Sequence, residues 1–517
     1  MNIMKRDIPL GDLYDGGKTK VHREWRGLED SWYDYKCWLK NWKSLLIFLS
    51  KPHNIKSFLR YRWMSEYFAT PDFIDRCTEG LRGRQLRIAH LEYDFIVEQI
   101  THSMDIIFRG DRNLGGDEEL TRYLVAMDEN MMEQLLFGFP NLHSVCPQVY
   151  GVFALAAVSR EGCVHYIDRA EEFGITGDVC TMPKAELGLC IDDDIPDVGN
   201  IMLHANTTCD SSLMGNGIED WRYQKPAFAI ACAERLVDEK TIEYTADEIR
   251  DAIRFVEEHT GEKWDWDAYF ENMHYFNNLT RNYLEILEIN RTDYPQIPEN
   301  NYNLYRDLYY TQMFSSTPED YWQIEQQIHA QMMEGYENRE LCCKEIRHRA
   351  LIWGVQAEFY TSFPNWLMNC WGIVGITHML NLTSTEIYAE TDTPENREQA
   401  IYDLADLYMK MIMRNRTEGG FSLGVDDVWR FCEQFNLDMI VMVEQMACKA
   451  VTTWHGIYEE EAAKRGIHVI WVPHALLDPR KSTRQNMRDE VNRYMHTVMG
   501  EEPLDPSLET IEDGNAW

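Results

Sequence analysis

The sequence predicts an α/β fold, with parallel sheets in two lobes and a helical N-terminal region ahead of them. Three observations carry this expectation. Short apolar runs of strand length, bounded by turn residues, recur after residue 200. In the C-terminal third these runs alternate with segments of helical period, the pattern of a parallel sheet with right-handed crossovers. The first third holds helical patterns instead. Sheets of this kind are open and Rossmann-like or flavodoxin-like.

Composition is consistent with this. The chain has 517 residues, 44% hydrophobic and 26% charged, which is globular. Its 50 Lys+Arg against 86 Asp+Glu give a net charge of −36. That excludes a nucleic-acid surface as the main function, because phosphate binding needs basic patches, and it opposes docking on anionic lipid. No membrane span is expected, since the run Leu45–Leu49 has five residues between lysines and a spanning helix needs about 20. The 13 cysteines are odd in number, irregularly spaced and without a CxxC. With no signal peptide, they read as reduced thiols in a cytoplasmic protein.

Four regions follow. Residues 1–80 form an arm rich in Trp and Tyr; its first 65 residues carry a net +6, against −42 for the rest. Residues 81–292 form a first lobe, helical and then α/β, residues 293–500 a second α/β lobe, and residues 501–517 an acidic tail. Within the first lobe, Asp117–Phe139 has helical spacing (Leu120, Tyr123, Leu124, Met127, Met131, Leu135), and Gln148–Val158 is a second, apolar helix. After the turn Pro196-Asp197-Val198-Gly199, the run Asn200–Asn206 reads as a buried strand. Ala227–Ala231 is another strand, and residues 240–290 are helical. Thr292–Pro298 is a boundary, and Pro318–Arg347 reads as one long helix. In the second lobe, strands are expected at Ala350–Val355, Thr385–Ala389, Leu437–Val443 and Ile467–Val472. Helices are expected at Leu367–Leu380, Val425–Phe435, Trp454–Arg465 and Ser482–Met499. No internal repeat is visible.

Ligands of open α/β sheets sit beyond the carboxyl ends of the strands. Cys209 and Cys448 each follow a strand and precede a helix, and Cys180 lies in a turn before a helical segment. A thiol near a helix N-terminus ionises more readily, and the thiolate is what binds metal.

Cys180, then Asp192-Asp193-Asp194-Ile195-Pro196-Asp197, then Asn206-Thr207-Thr208-Cys209-Asp210, resembles the 2-hydroxyacyl-CoA dehydratase and benzoyl-CoA reductase family. The later segments Asp438–Val441, Ala447-Cys448-Lys449 and Gly466–Ile470, with the helix Arg484–Met499, are similar to the family's third-cysteine region. The resemblance implies one [4Fe-4S] cluster held by Cys180, Cys209 and Cys448, with one iron left open for a ligand. It implies a homologous second subunit, an acyl-CoA substrate and a separate ATP-hydrolysing iron–sulfur activator protein. The activator's electron would turn the thioester into a ketyl radical and so allow loss of the 2-hydroxyl. The chain has no P-loop of its own, in keeping with an external activator. Two related activities share this frame: an ATP-driven benzoyl-CoA or acyl-CoA reductase, and a double-cubane electron-transfer protein.

His204, Glu444 and His455 are candidates for proton transfer near such a cluster. Glu444 and Gln445 are candidates for binding a hydroxyl there. Cys190 is an alternative ligand. Cys146, Cys163 and Cys232 read as core thiols, and Cys342-Cys343 as neighbours on a polar helix whose side chains diverge by about 100°.

Overall fold

The computed structural model describes residues 26–61, 63–64, 77–128, 132–146, 152, 163–205, 209–231, 238–296, 318–378, 386–410 and 420–511. Two four-stranded parallel sheets organise them. The first contains β1 (Leu124–Met127), β2 (His143–Val145), β3 (Ile201–Ala205) and β4 (Ala227–Ile230), in the order β2-β1-β3-β4. The second contains β5 (His348–Trp353), β6 (Ile373–His378), β7 (Met439–Gln445) and β8 (His468–His474), in the order β6-β5-β7-β8. The two orders are the same pattern. In each sheet the chain starts second from one edge, moves out to that edge, and then crosses to the other side. The reversal creates a switch point between β1 and β3 and another between β5 and β7, where such sheets bind ligands.

The strands are made of residues that tolerate burial on both faces. β1, β3 and β7 are buried along their whole length, as expected for parallel strands covered by helices. One hydrophobic core reaches both sheets, from Val125 and Leu203 to Leu351 and Ile440. Beyond it, each sheet has a core of its own on its other face.

Several elements differ from expectation for one physical reason: a short, fully buried strand and a buried helical turn carry the same apolar residues. The helix expected over Asp117–Phe139 is a short helix, Glu118–Arg122, followed by β1. The helix expected over Leu367–Leu380 is Phe363–Trp371, ended by Gly372 at φ 71, and β6 follows at once. The long polar helix stops at Glu337, and Arg339 turns left-handed at φ 56. Cys342 and Cys343 therefore lie beyond it. Of the strand expected at Thr385–Ala389, the described part from Glu386 has no regular structure. There the Asn277 side chain replaces a sheet neighbour, its amide donating to Tyr388 O at 2.9 Å while its oxygen accepts from Tyr388 N at 3.1 Å. The helix expected at Gln148–Val158 lies outside the described residues except at Val152.

The N-terminal helices, Leu28–Ser50 and Pro52–Arg60, are joined to the first lobe. Phe48, Tyr61 and Trp63 enter its core beside Phe108. The Tyr61 hydroxyl donates to Asp111. At the other end of the chain, residues after Gly500 pack on the second lobe. Leu504 N donates to Cys370 O at 2.7 Å, and Trp366 Nε1 to Leu508 O at 2.9 Å. Among the described residues no helix is long and apolar enough to cross a membrane.

Candidate thiol site at the strand ends

Cys180, Cys209 and Cys448 share one local structure. Each is the residue that caps a helix at its N-terminus: Thr181–Ile191, Asp210–Tyr223 and Lys449–Thr452, respectively. None of the three helices has a side-chain acceptor at its cap. A Ser or Asp cap would accept from the first-turn N–H groups; these cysteine side chains do not. Cys209 and Cys448 also hold equivalent places in the two lobes. Each follows the third strand of its sheet by a few residues, β3 or β7.

Exposure separates these thiols from every other described cysteine but Cys343. All three are half-buried, whereas Cys37, Cys77, Cys146, Cys163, Cys190, Cys342, Cys370 and Cys432 are buried. Burial pushes the Cys370 and Cys432 thiols up to about 12. It also pushes Cys190 well above its ordinary range, with Glu186 and Glu219 adding to the effect. Such thiols pack as small apolar groups. Cys190 is therefore a core residue. Among the described cysteines Cys343 is also half-buried; it sits beside Cys342, ahead of the amino end of β5. Cys232 lies outside the described residues.

Side-chain contacts tie the three cysteine loops together across the two lobes. Cys180 N donates to Ser211 Oγ at 3.2 Å, on the helix capped by Cys209. Gln445 Nε2, at the end of β7, donates to Cys180 Sγ at 3.4 Å. Lys449, next to Cys448, pairs with Asp210, next to Cys209, at 3.0 Å. Thr181 Oγ1 donates to Ala475 O at 3.3 Å and accepts from Leu477 N at 3.2 Å, both beyond β8. Among the described residues, no three His, Cys, Asp or Glu side chains are grouped closely enough to hold one metal ion.

The three proton-transfer candidates fall in two places. Glu444 and His455 come together, with His455 Nε2 2.5 Å from Glu444 Oε1. Glu444 is buried at the end of β7, and His455 is half exposed at the start of the helix His455–Arg465. The imidazole stacks on Trp471 of β8, with centroids 3.6 Å apart and planes at 17°. His204 lies in the first lobe, buried on β3 in a nest of carboxylates. Its Nε2 is 3.1 Å from Asp220, and its Nδ1 is 3.8 Å from Glu219 and 4.0 Å from Asp128. Glu219 and Asp220 belong to the helix capped by Cys209, so His204 fastens that helix to the sheet.

Sequence reasoning missed Trp471, Lys449 and His474. His474 ends β8 fully buried, and its Nδ1 accepts from Leu476 N at 3.0 Å. Burial lowers its pKa to about 4, so the ring is neutral near pH 7. Its place at the carboxyl end of an apolar strand was the available signal.

Two parallel sheets joined by one core, with three half-buried thiols after strand ends or at helix starts, define an α/β protein. The chain matches the family described as 2-hydroxyglutaryl-CoA dehydratase, D-component, over residues 139–495. That is more than half of its length, and the chain belongs to this family. The match includes all three cysteines and both sheets from β2 onward. No curated protein matches the chain.

Proposed function

We propose that the chain is the [4Fe-4S] component of an enzyme that removes water from a 2-hydroxyacyl-CoA. In this proposal it works with a homologous partner subunit and receives its electron from an ATP-hydrolysing iron–sulfur activator protein. The observation that carries the proposal is the set of three half-buried thiols, each capping a helix and linked to one another across the lobes. The donor set fits the cofactor, since soft thiolates select iron–sulfur clusters and three of them leave one corner of a cubane open. When bound, the cluster would supply an electron and a Lewis-acidic iron.

The chain's own residues do the rest. Cys180, Cys209 and Cys448 hold the cofactor, and Ser211 and Gln445 fix the Cys180 loop. Glu444 and His455 form a carboxylate–imidazole pair that carries a proton between the buried strand end and solvent, with the ring held by Trp471. Lys449 and Asp210 keep the two equivalent cysteine loops adjacent.

The helical arm supports the partner. Leu28, Trp32, Tyr35, Leu39 and Leu46 are exposed at helical spacing, and residues 35–60 contain basic side chains but no Asp or Glu. An apolar, basic face on an otherwise acidic chain suits an acidic protein surface.

Anaerobic purification with iron and sulfide counts tests the cofactor, and about four irons per chain is the expected result. Electron counting tests the reaction: a dehydratase reuses its electron, so product far exceeds electrons supplied. Consumption of two electrons per product would mean a reductase instead.

A further inference from the structure

Beyond β7 and β5, two glutamine side chains have hydrogen-bonding capacity that the described residues do not use. Gln445 is 4% exposed, and its Oε1 is buried without a partner. The other end of the same amide is spoken for, because Nε2 donates to Cys180 Sγ. That contact fixes which way the amide points: nitrogen to the thiol, oxygen away from it. Gln356 follows β5 in the chain. It is 9% exposed, and both its Oε1 and its Nε2 are buried without partners.

The two positions follow neighbouring strands, on either side of the switch point of the second sheet. β5 and β7 are neighbours in register, Trp353 opposite Met442. The chain leaves β5 through Gly354, at φ 115, where a Cβ would stand 2.1 Å from Val443 O. Only glycine allows that approach. It brings the segment leading to Gln356 against the end of β7 leading to Gln445.

A buried amide left unpaired loses its contacts with water and gains nothing in return. Polar groups of this kind at a strand-end switch point are ordinarily satisfied by what binds there. Resting on the dehydratase proposal above, we infer that Gln445 and Gln356 are specificity residues for the hydroxyacyl group. Gln445 Oε1 accepts from the substrate's 2-hydroxyl, and the Gln356 amide pairs with the acyl carbonyl side of the same ligand. The ligand class is a small 2-hydroxyacyl thioester rather than a simple acyl thioester. An acceptor that has no other partner rejects an analogue lacking the hydroxyl far more strongly than an apolar pocket can.

The test is anaerobic calorimetry on the purified, cluster-loaded protein with its partner subunit and without activator, so that no turnover occurs. The probes are 2-hydroxyglutaryl-CoA against glutaryl-CoA and 2-hydroxybutyryl-CoA against butyryl-CoA. Wild type should favour the hydroxy member of its better-bound pair by at least about tenfold. Gln445→Met, of similar shape but without an acceptor, should bring that ratio close to one. Gln445→Glu, which keeps an oxygen, should retain most of it. Gln356→Met should weaken both members of the pair alike. An unchanged ratio in Gln445→Met, with the iron content of wild type, overturns the inference while leaving the dehydratase proposal intact. Failure of wild type to bind any of the four thioesters overturns both.

Discussion

The two lobes are built on one plan and differ in what they place on it. Both sheets run second strand, first, third, fourth, and both put a cysteine a few residues after the third strand. Cys209 and Cys448 are thus counterparts. The lobes then diverge. The first adds Cys180 and buries its histidine, His204, among carboxylates. The second adds Glu444, Gln445 and a half-exposed His455. In the proposed function the first lobe supplies two thiols, and the second supplies one thiol together with the polar groups for substrate and proton. The connectivity is repeated, and the residues placed on it are not.

Substitutions in the acid–base groups should break this comparison most sharply. Glu444→Gln and His455→Ala should each lower turnover by about 10²–10⁴ with iron content unchanged. His204→Gln should act through stability instead, with turnover of the folded fraction near wild type. Equal loss of turnover without loss of stability at His204 would erase the division between the lobes.

Acid should weaken the two lobes unequally. His474, in the second, has its pKa lowered to about 4 by burial. The unfolded chain then binds a proton between about pH 6.5 and 4 that the folded chain refuses. Stability is therefore full above about 6.5 and falls as pH drops toward 4, by about 3 kcal/mol. Asp111, in the first lobe, has the opposite sign. Burial raises it to about 6, so its protonated form is the stable one and the cost appears as pH rises from about 4 to 6. Denaturant melts of His474→Gln should lose the acid slope, and those of Asp111→Asn should lose the opposing one.

Close backbone approaches give a smaller contrast. A Cβ at Gly188 would stand 2.0 Å from Tyr166 O, between two helices of the first lobe. One at Gly354 would stand 2.1 Å from Val443 O, on a backbone that is also left-handed. Gly188→Ala should cost about 1–3 kcal/mol by overpacking. Gly354→Ala should cost more, by a further ~1 kcal/mol of backbone strain or above, as read by denaturant midpoint. Smallest of all, Lys449→Ala should change stability by less than about 1 kcal/mol, because its pair with Asp210 is exposed.

What was legible in the sequence follows the same physics. β3, β4, β7 and β8 stand out because Gly, Pro or Asp interrupts the chain beside them, as at Gly199, Pro226, Asp438 and Gly466. β1 and β6 were hidden because they continue directly from short helices in apolar letters. The duplicated strand order was invisible, since β1 reads Leu-Val-Ala-Met and β5 His-Arg-Ala-Leu-Ile-Trp. The three cysteines could be picked out from order and spacing. The contact between Gln445 and Cys180 could not, because it joins side chains 265 positions apart through the approach of two lobes. How the aromatic arm packs was not legible: Phe48, Tyr61 and Trp63 enter the core of the first lobe. Deleting residues 1–65 would unfold the first lobe, so the partner surface is better tested by charge on its exposed row. Trp32→Glu with Leu39→Glu should preserve the melting temperature and weaken subunit pairing, as read by light scattering.

In the proposed function, counterpart thiols from the two lobes share one cluster with Cys180. Iron analysis of anaerobically purified Cys180→Ala, Cys209→Ala and Cys448→Ala puts this to the test, with Cys432→Ala as the buried control. About four irons per chain are expected in wild type and in the control, with near-complete loss in each of the other three. Full iron in any one of those three, or none in wild type under strict anaerobiosis, would rule out the shared cluster.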